Sequence, residues 1–476
     1  MSKKNTNDTS SYSFGGKLRA FRKRGRHEQK SISGGVFAEL LSYKLNHHFR
    51  QQDVSEWEND KSAIPDPDIF SAILELLSFH DAFKSWDEVC DLVNDYHKAA
   101  KFIHPTHIHL QFSQADFDRW RMIKTNLFAH LPRHIRNQLH LVIGIDALAE
   151  STKKDLLKPV YALSIEGHGG IGKTSLAVLV AIKLGDMGIF EGVYFVGVRQ
   201  GFLDKDGEHR LVEDQIERAD EALLQLATQM GLVMATSLTK DEKLGLIAEY
   251  YQYKRVLVIL DNLETDEDVS EFTKIINTLA QIDSPSRIII TSRKSLEKIN
   301  PRIAQIHPQE LNPHDVRLAL NGYGCHITLE QSQTLHSKIG GNPLAILLFS
   351  PLIKNFGIDE LLQQLEQTKS QWQPDDEDFI RHQRLFNYLY ERILSLLDVQ
   401  IRFIFYQLGM AFEMDFGATL DEIKAVFEED YSQAQLKKAL NTLQDVYLLR
   451  FDQFKHEYTM HRITSHYIRK EFLTPL

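Results

Sequence analysis

One stretch limits what this chain can fold into more than any other: Gly167-His168-Gly169-Gly170-Ile171-Gly172-Lys173-Thr174, followed by Ser175. It satisfies G-x-x-x-x-G-K-[ST]. A strand-like apolar run, Val160 to Ile165, precedes it, and a helix-period run, Leu176 to Ile182, follows it. Strand, Gly-rich loop and helix in that order make a phosphate-binding loop. Glycines are needed because the backbone must fold around a polyphosphate and turn its N–H groups inward, which a Cβ would obstruct. The following helix aims the positive end of its dipole at the same anion. Gly167, Gly169, Gly170, Gly172, Lys173, Thr174 and Ser175 are therefore the expected nucleotide-binding set. Lys173 reaches the β and γ phosphates, and the Thr174 hydroxyl ligates magnesium.

Downstream, strands alternate with helices, as a parallel sheet with crossover helices requires. Gly192 to Val198 reads as a buried strand, and Lys254 to Asp261 as another that ends in an acid. A carboxylate at that carboxyl tip sits where open α/β sheets bind ligands, so Asp261 is the expected magnesium partner, directly or through water. Position 262 is Asn rather than a second acid, which leaves Glu264 as the one candidate for a catalytic base and predicts slow hydrolysis. Ser286 to Arg293 is a third core strand, ending in an Arg that can contact the γ-phosphate. In Gly340-Gly341-Asn342-Pro343-Leu344, one helix breaks and another opens, and Pro343 at its first turn would press on the base.

These segments together resemble the NB-ARC branch of the signal-transducing STAND ATPases, particularly its bacterial regulators. The phosphate loop, Leu260-Asp261-Asn262, Thr291-Ser292-Arg293 and Gly341-Asn342-Pro343-Leu344 fall in that family's order and approximate spacing. Leu141 to Asp146 occupies the place of the family's opening Gly-Arg-Glu motif, with Ile145 where the Arg belongs. Tyr458-Thr459-Met460-His461-Arg462 resembles the Met-His-Asp motif, with Arg462 in place of the Asp. The resemblance covers roughly residues 141 to 470. It implies an ATP/ADP-gated switch with magnesium, in which His461 holds the β-phosphate of ADP and the ATP state self-associates.

The chain has 476 residues, 43% of them apolar and 25% charged, enough for several packed domains and unlike a disordered protein. Its two cysteines, Cys90 and Cys325, give no disulfide framework or metal cluster and fit a reducing cytosol. The histidines at 104, 107, 109, 130, 134 and 140 lack metal-ligand spacing. No signal peptide or membrane span is expected. Residues 1 to 50 hold eleven Lys/Arg against three Asp/Glu, or +8 on a chain whose formal net charge is −10, so the remainder carries −18. A basic head on an acidic body suggests an anionic partner for the head.

That head reads as four or five short helices in some 65 residues, the pattern of a helix-turn-helix module. Val54-Ser55-Glu56-Trp57-Glu58-Asn59-Asp60 with a following Pro65 resembles the repressor-type (XRE-type) helix-turn-helix family, over roughly residues 16 to 80. The resemblance places Arg50, Gln51, Gln52 and Ser55 at base edges of double-stranded DNA, whose donors and acceptors Arg and Gln match. Lys17, Arg19, Arg22, Lys23 and Arg24 are expected at phosphates.

The expected fold is therefore multidomain α/β: an all-α helix-turn-helix head (1–80), a helical connector (81–140), a parallel-sheet P-loop NTPase core (141–310), a helical subdomain (311–375) and a C-terminal winged helix (376–476). The expected function is a nucleotide-gated transcriptional regulator in the cytoplasm. Two alternatives stand beside it: a defence or signalling scaffold whose head recruits a protein effector or sensor in trans, and a DNA-stimulated ATPase, against which Asn262 argues.

Overall fold

A computed structural model describes residues 13–60, 64–101, 110, 112–139, 143–158, 162–198, 218–233, 238–263, 266–297, 299–300, 302–369, 378–411, 417–427, 430–452, 456–461, 463–465 and 467–468. The head runs α1 (Phe14–Arg24), a two-residue hairpin β1 (Arg26–His27) and β2 (Lys30–Ser31), α2 (Gly34–Leu45), α3 (Gln51–Glu58) and α4 (Pro67–Phe79). Three helices connect it to the core: α5 (Trp86–Lys101), α6 (Gln114–Asn126) and α7 (Arg133–Gln138). Serines start α1 and α2, where the Ser13 and Ser33 hydroxyls accept from Gly16 and Val36 N–H groups.

The core comprises α8 (Asp146–Leu157), β3 (Ala162–Glu166), α9 (Lys173–Gly185), β4 (Gly192–Gly197), α10 (Arg218–Gln229), α11 (Lys240–Tyr253), β5 (Val256–Leu263), α12 (Asp266–Gln281), β6 (Arg287–Ser292) and β7 (Ala304–Ile306). Its five strands pair in parallel in the order β4-β5-β6-β3-β7. Side chains alternate across the pleat. Leu163, Ile165, Leu257, Ile259 and Ile289 join a core on one face, while Ala162, Val256, Val258, Ile288 and Ile290 join another on the opposite face. Both faces are covered, which is why these strands are apolar throughout instead of alternating.

Beyond the sheet lie α13 (Pro313–Gly322), α14 (Leu329–Ile339), α15 (Pro343–Phe356) and α16 (Ile358–Lys369). They are followed by α17 (Asp378–Ser395), α18 (Val399–Ala411), β8 (Ala418–Thr419), α19 (Leu420–Phe427), α20 (Gln433–Asp445), β9 (Arg450–Asp452) and β10 (Glu457–Thr459). The last three strands form an antiparallel sheet in the order β8-β10-β9. Residues from Leu311 to Ile468 share one continuous apolar cluster, so the helices after the sheet and the C-terminal segment pack as one body.

The head is not a tethered bead. Its buried residues, from Phe14 to Phe83, belong to the same cluster as α9 and one face of the sheet. Arg255 donates to the carbonyls of Tyr43 and Lys44 at 2.9 and 2.8 Å, satisfying two acceptors that the last turn of α2 leaves without helical partners. His80 sets Nδ1 2.9 Å from the Arg26 carbonyl oxygen and Nε2 3.4 Å from that of Met187, and as a neutral ring it donates to one of the two. Phe79 lies so close to Gly188, at φ +70°, that a Cβ there would sit 2.6 Å from its ring. Among the described residues no helix is long and apolar enough to cross a membrane.

Candidate functional site

Three strand ends meet in one place. Because β3 lies beside β6, and β6 beside β5, the loop after β3, the acid at the tip of β5 and the Arg after β6 emerge at the same carboxyl edge. The loop then turns through Gly170 (φ +78°) and Gly172 (φ +97°) into α9, which has no side-chain cap. The N–H groups of an uncapped first turn are natural partners for an anion. Lys173 is buried, and its Nζ donates to the carbonyls of Gly167 (2.8 Å) and His168 (3.0 Å).

Asp261 is 3% exposed and collects hydroxyls: Thr174 Oγ1 donates to its two oxygens at 2.9 and 3.1 Å, and Thr291 Oγ1 donates to Oδ1. Thr174 and Asp261 thus stand together, a hard-oxygen pair suited to magnesium. The next residue, Asn262, has φ +73°, a left-handed conformation that Asn tolerates better than most side chains, and its N–H donates to Thr291 Oγ1 at 2.9 Å. The pairing of β5 with β6 shifts register between Leu260 and Leu263 around it. Glu264 lies outside the described residues, as do Arg462 and the histidines at 104, 107, 109 and 140.

The Arg293 guanidinium lies against the loop: a Cβ built on Gly169 would be 3.2 Å from its Nη2 and 2.9 Å from Ile463 Cδ1. On the other side Asn342 caps α15 by accepting from the N–H groups of Leu344 and Ala345, and its Nδ2 donates to Gly169 O at 3.0 Å. Pro343 follows in the first turn. His461 Nδ1 accepts from Ile463 N at 3.2 Å. Gly169, Gly170, Gly172, Lys173, Thr174, Ser175, Asp261, Arg293, Pro343 and His461 all line one cavity of about 620 Å³; Gly167 holds Lys173 from just outside it. Among the described residues the lining carries three permanent cations, Lys173, Arg293 and Arg450, against one carboxylate, Asp261. Such a cavity favours a polyanion.

Residues 145–318 match the family model described as the NB-ARC domain. The match supports a STAND-type P-loop ATPase and, with it, nucleotide binding. The chain is 22% identical over 312 residues to an uncharacterized WD repeat-containing protein of Nostoc sp., a match covering 59% of this chain and 22% of that one. Among solved structures it resembles a STAND protein with a tetratricopeptide repeat sensor from Pyrococcus horikoshii, at 18% identity and a TM-score of 0.42, over 69% of this chain and 42% of that one. It also resembles the ORC2 protein of Aeropyrum pernix in ADPNP–ADP complexes, at 12% identity and a TM-score of 0.33, over 70% and 96% of the two chains. The chain thus spans less than half the length of the first two.

The sequence reading missed several residues of the site. Thr291 orients Asp261, and Asn342 ties α15 to the loop. Both stand inside segments noticed for other reasons. Thr459, inside the stretch around His461, also faces the cavity, as do Tyr323, Tyr447 and Arg450, which no spacing rule singles out.

In the head the structure corrects one expectation. Arg22 is 5% exposed and forked onto Glu58, with Nη2 to Oε2 at 2.8 Å, and it also donates to Ile32 O. It braces α1 against α3 and has no face left for a DNA phosphate. Lys17 pairs with Asp95 at 2.5 Å and Arg24 with Glu88 at 2.6 Å, both partly exposed; Arg19 is exposed with its Nε 3.9 Å from Glu58 Oε2, and Lys23 is exposed. Arg50, Gln51, Gln52 and Ser55 are all exposed along the start and outer face of α3.

Proposed function

We propose that this chain is an ATP/ADP-gated STAND switch. The observation that carries the reading is that one cavity is walled by three separate segments: the phosphate loop, the start of α15 at Pro343, and the C-terminal stretch around His461. Whatever fills it sets how those segments sit. Arg293, beside the loop, is placed to report the γ-phosphate, and His461 to hold the β-phosphate of ADP. The two nucleotides then favour different arrangements, because each gains different contacts in each. Magnesium, held by Thr174 and Asp261, would neutralise phosphate charge. With Asn at 262, turnover is slow and the nucleotide acts as a signal.

The output of this reading is DNA binding by the head and transcriptional regulation. Helices α2 and α3 serve as the helix-turn-helix pair, with Arg50, Gln51, Gln52 and Ser55 toward bases and Arg19, Lys23, Lys17 and Arg24 toward phosphates. Helices α18 to α20 with β8 to β10 act as the winged helix. Self-association in the ATP state would multiply weak single-site contacts. The five-domain division at residues 80, 140, 310 and 375 and a cytoplasmic location complete the proposal.

A protein effector as the partner of the head is the second reading. It is favoured by acids on the same helix: Arg50 pairs with Asp53 at 3.4 Å, and Gln52 donates to Glu56 at 2.9 Å. Binding to duplex fragments across a salt series separates the two, because phosphate contacts lose affinity steeply as salt rises. The switch itself is tested by particle mass with ADP and with a non-hydrolysable ATP analogue. A larger particle with the analogue is expected; equal masses would remove switching by assembly.

A further inference from the structure

The C-terminal wall of the cleft carries two polar groups for which no side-chain partner stands among the described residues. Arg450 opens β9, Thr459 closes β10, and the two are antiparallel partners in register. Cross-strand partners project from the same face, and here both line the cavity that holds the phosphate loop. Thr459 is 4% exposed and its hydroxyl is buried without a hydrogen-bond partner.

Among the described residues Arg450 makes no side-chain hydrogen bond or ion pair. The groups that bear on its charge are the phenols of Tyr323 and Tyr390, and burial pulls its pKa below the usual guanidinium range. A guanidinium still keeps its proton. A cation so placed, with no carboxylate of the described residues beside it, is costly to hold unless something brings negative charge to it. The one carboxylate of the cavity, Asp261, is occupied by the hydroxyls of Thr174 and Thr291.

We propose that Arg450 and Thr459 form a second phosphate contact for the nucleotide gripped by the loop, made from the C-terminal segment. The ligand chemistry follows from the donors. A planar fork of N–H groups and a neighbouring hydroxyl match phosphate oxygens. The negative charge of a nucleotide lies on its phosphates, and a neutral base or ribose could not offset a half-buried cation. Thr459 stands two residues before His461, so this pair extends the reach of the C-terminal segment toward the nucleotide. The inference rests on the nucleotide-gated reading and deepens it: β9 and β10, and not His461 alone, would register occupancy of the cleft.

The test is ADP affinity of the full chain, measured by titration calorimetry at several salt concentrations. Arg450→Met should weaken ADP roughly 10- to 100-fold, the scale of a hydrogen bond to a charged group, and should flatten the dependence of affinity on salt, since one phosphate contact is gone. Arg450→Lys should keep the salt dependence while losing part of the affinity, because an ammonium cannot reproduce the fork. Unchanged ADP affinity in Arg450→Met overturns the proposal. So does a loss of affinity with the wild-type salt dependence, which would place the contact on the base or ribose. If Met at 450 prevents folding, Thr459→Val reports on the same contact: a several-fold loss is expected, and none would overturn the proposal. Wild-type chain that ignores ADP would sink the reading of the cleft itself, whereas wild-type binding with an indifferent Arg450→Met sinks this inference alone.

Discussion

Asn342 holds the phosphate loop by its own carboxamide: Nδ2 donates to the Gly169 carbonyl oxygen at 3.0 Å, while Oδ1 caps α15 through the N–H groups of Leu344 and Ala345. One fully buried side chain thus joins the sheet domain to the helices beyond it. Replacement by Asp keeps the cap, removes the donor and sets a carboxylate against a carbonyl oxygen. Asn342→Asp should therefore lose more stability than the ~1 kcal/mol typical of a lost cap, together with nucleotide retention. Urea unfolding and extraction of bound nucleotide measure the two effects.

Two glycines of the loop separate shape from space. A Cβ on Gly170 would lie 2.9 Å from both Asn342 Oδ1 and Leu344 Cβ, whereas one on Gly172 would meet nothing within 4 Å. Both have positive φ. Gly172→Ala should cost about 1 kcal/mol from backbone conformation alone, and Gly170→Ala clearly more, because the neighbouring helix must move. Equal melting temperatures for the two variants would contradict the close approach.

Burial of His80 between the carbonyls of Arg26 and Met187 pulls its pKa from 6.5 down to about 4. Because the folded value lies below the unfolded one, the unfolded chain takes up the proton first. Stability from this group is complete above pH 6.5 and falls as the pH drops through the window from 6.5 to about 4. The loss reaches on the order of 3 kcal/mol if His80 acts alone. Nearby Asp186, whose carboxyl burial pushes up, works in the opposite sense at lower pH. Melting temperature against pH should fall in this window for the wild type and less steeply for His80→Gln.

Arg22 and its neighbours should part company on mutation. Arg22→Ala leaves the buried Glu58 carboxylate with only the 3.9 Å approach of the exposed Arg19 and should cost about 3 kcal/mol. Lys23→Ala, on the exposed side of the same helix, should leave the melting temperature within a degree or two and, under the proposed DNA-binding reading, lower only the affinity for duplex DNA. A stable Arg22→Ala with weakened DNA binding would restore the phosphate role that burial removes.

Much of this was legible in the residues because it depends on local pattern. The Gly-rich loop between two apolar runs fixed a strand, a turn and a helix, and the unbroken run ending at Asp261 marked a strand covered on both faces. Arg22 was legible too and was misread: it follows Leu18 by four residues, and so shares the buried face of α1. Strand β7 is three residues of half-buried chain, too short for a period to show. Helix α18 was missed because it is apolar almost all round, with Val399 and Phe403 left exposed. Docking of the head could not be read at all. It runs through main-chain acceptors, Arg255 to Tyr43 and Lys44, and no spacing of side chains records which carbonyls a distant Arg will find. The same holds for Arg450, whose importance comes from what it lacks in space.

The central claim is that a nucleotide in the cleft ahead of Lys173 decides how the flanking segments sit. Calorimetric titration of ADP and magnesium into nucleotide-stripped chain tests it most directly. The account predicts one saturable site per chain, abolished in a Lys173→Ala variant whose circular dichroism is unchanged. No saturable heat from the wild-type chain, or equal binding by the variant, would contradict it.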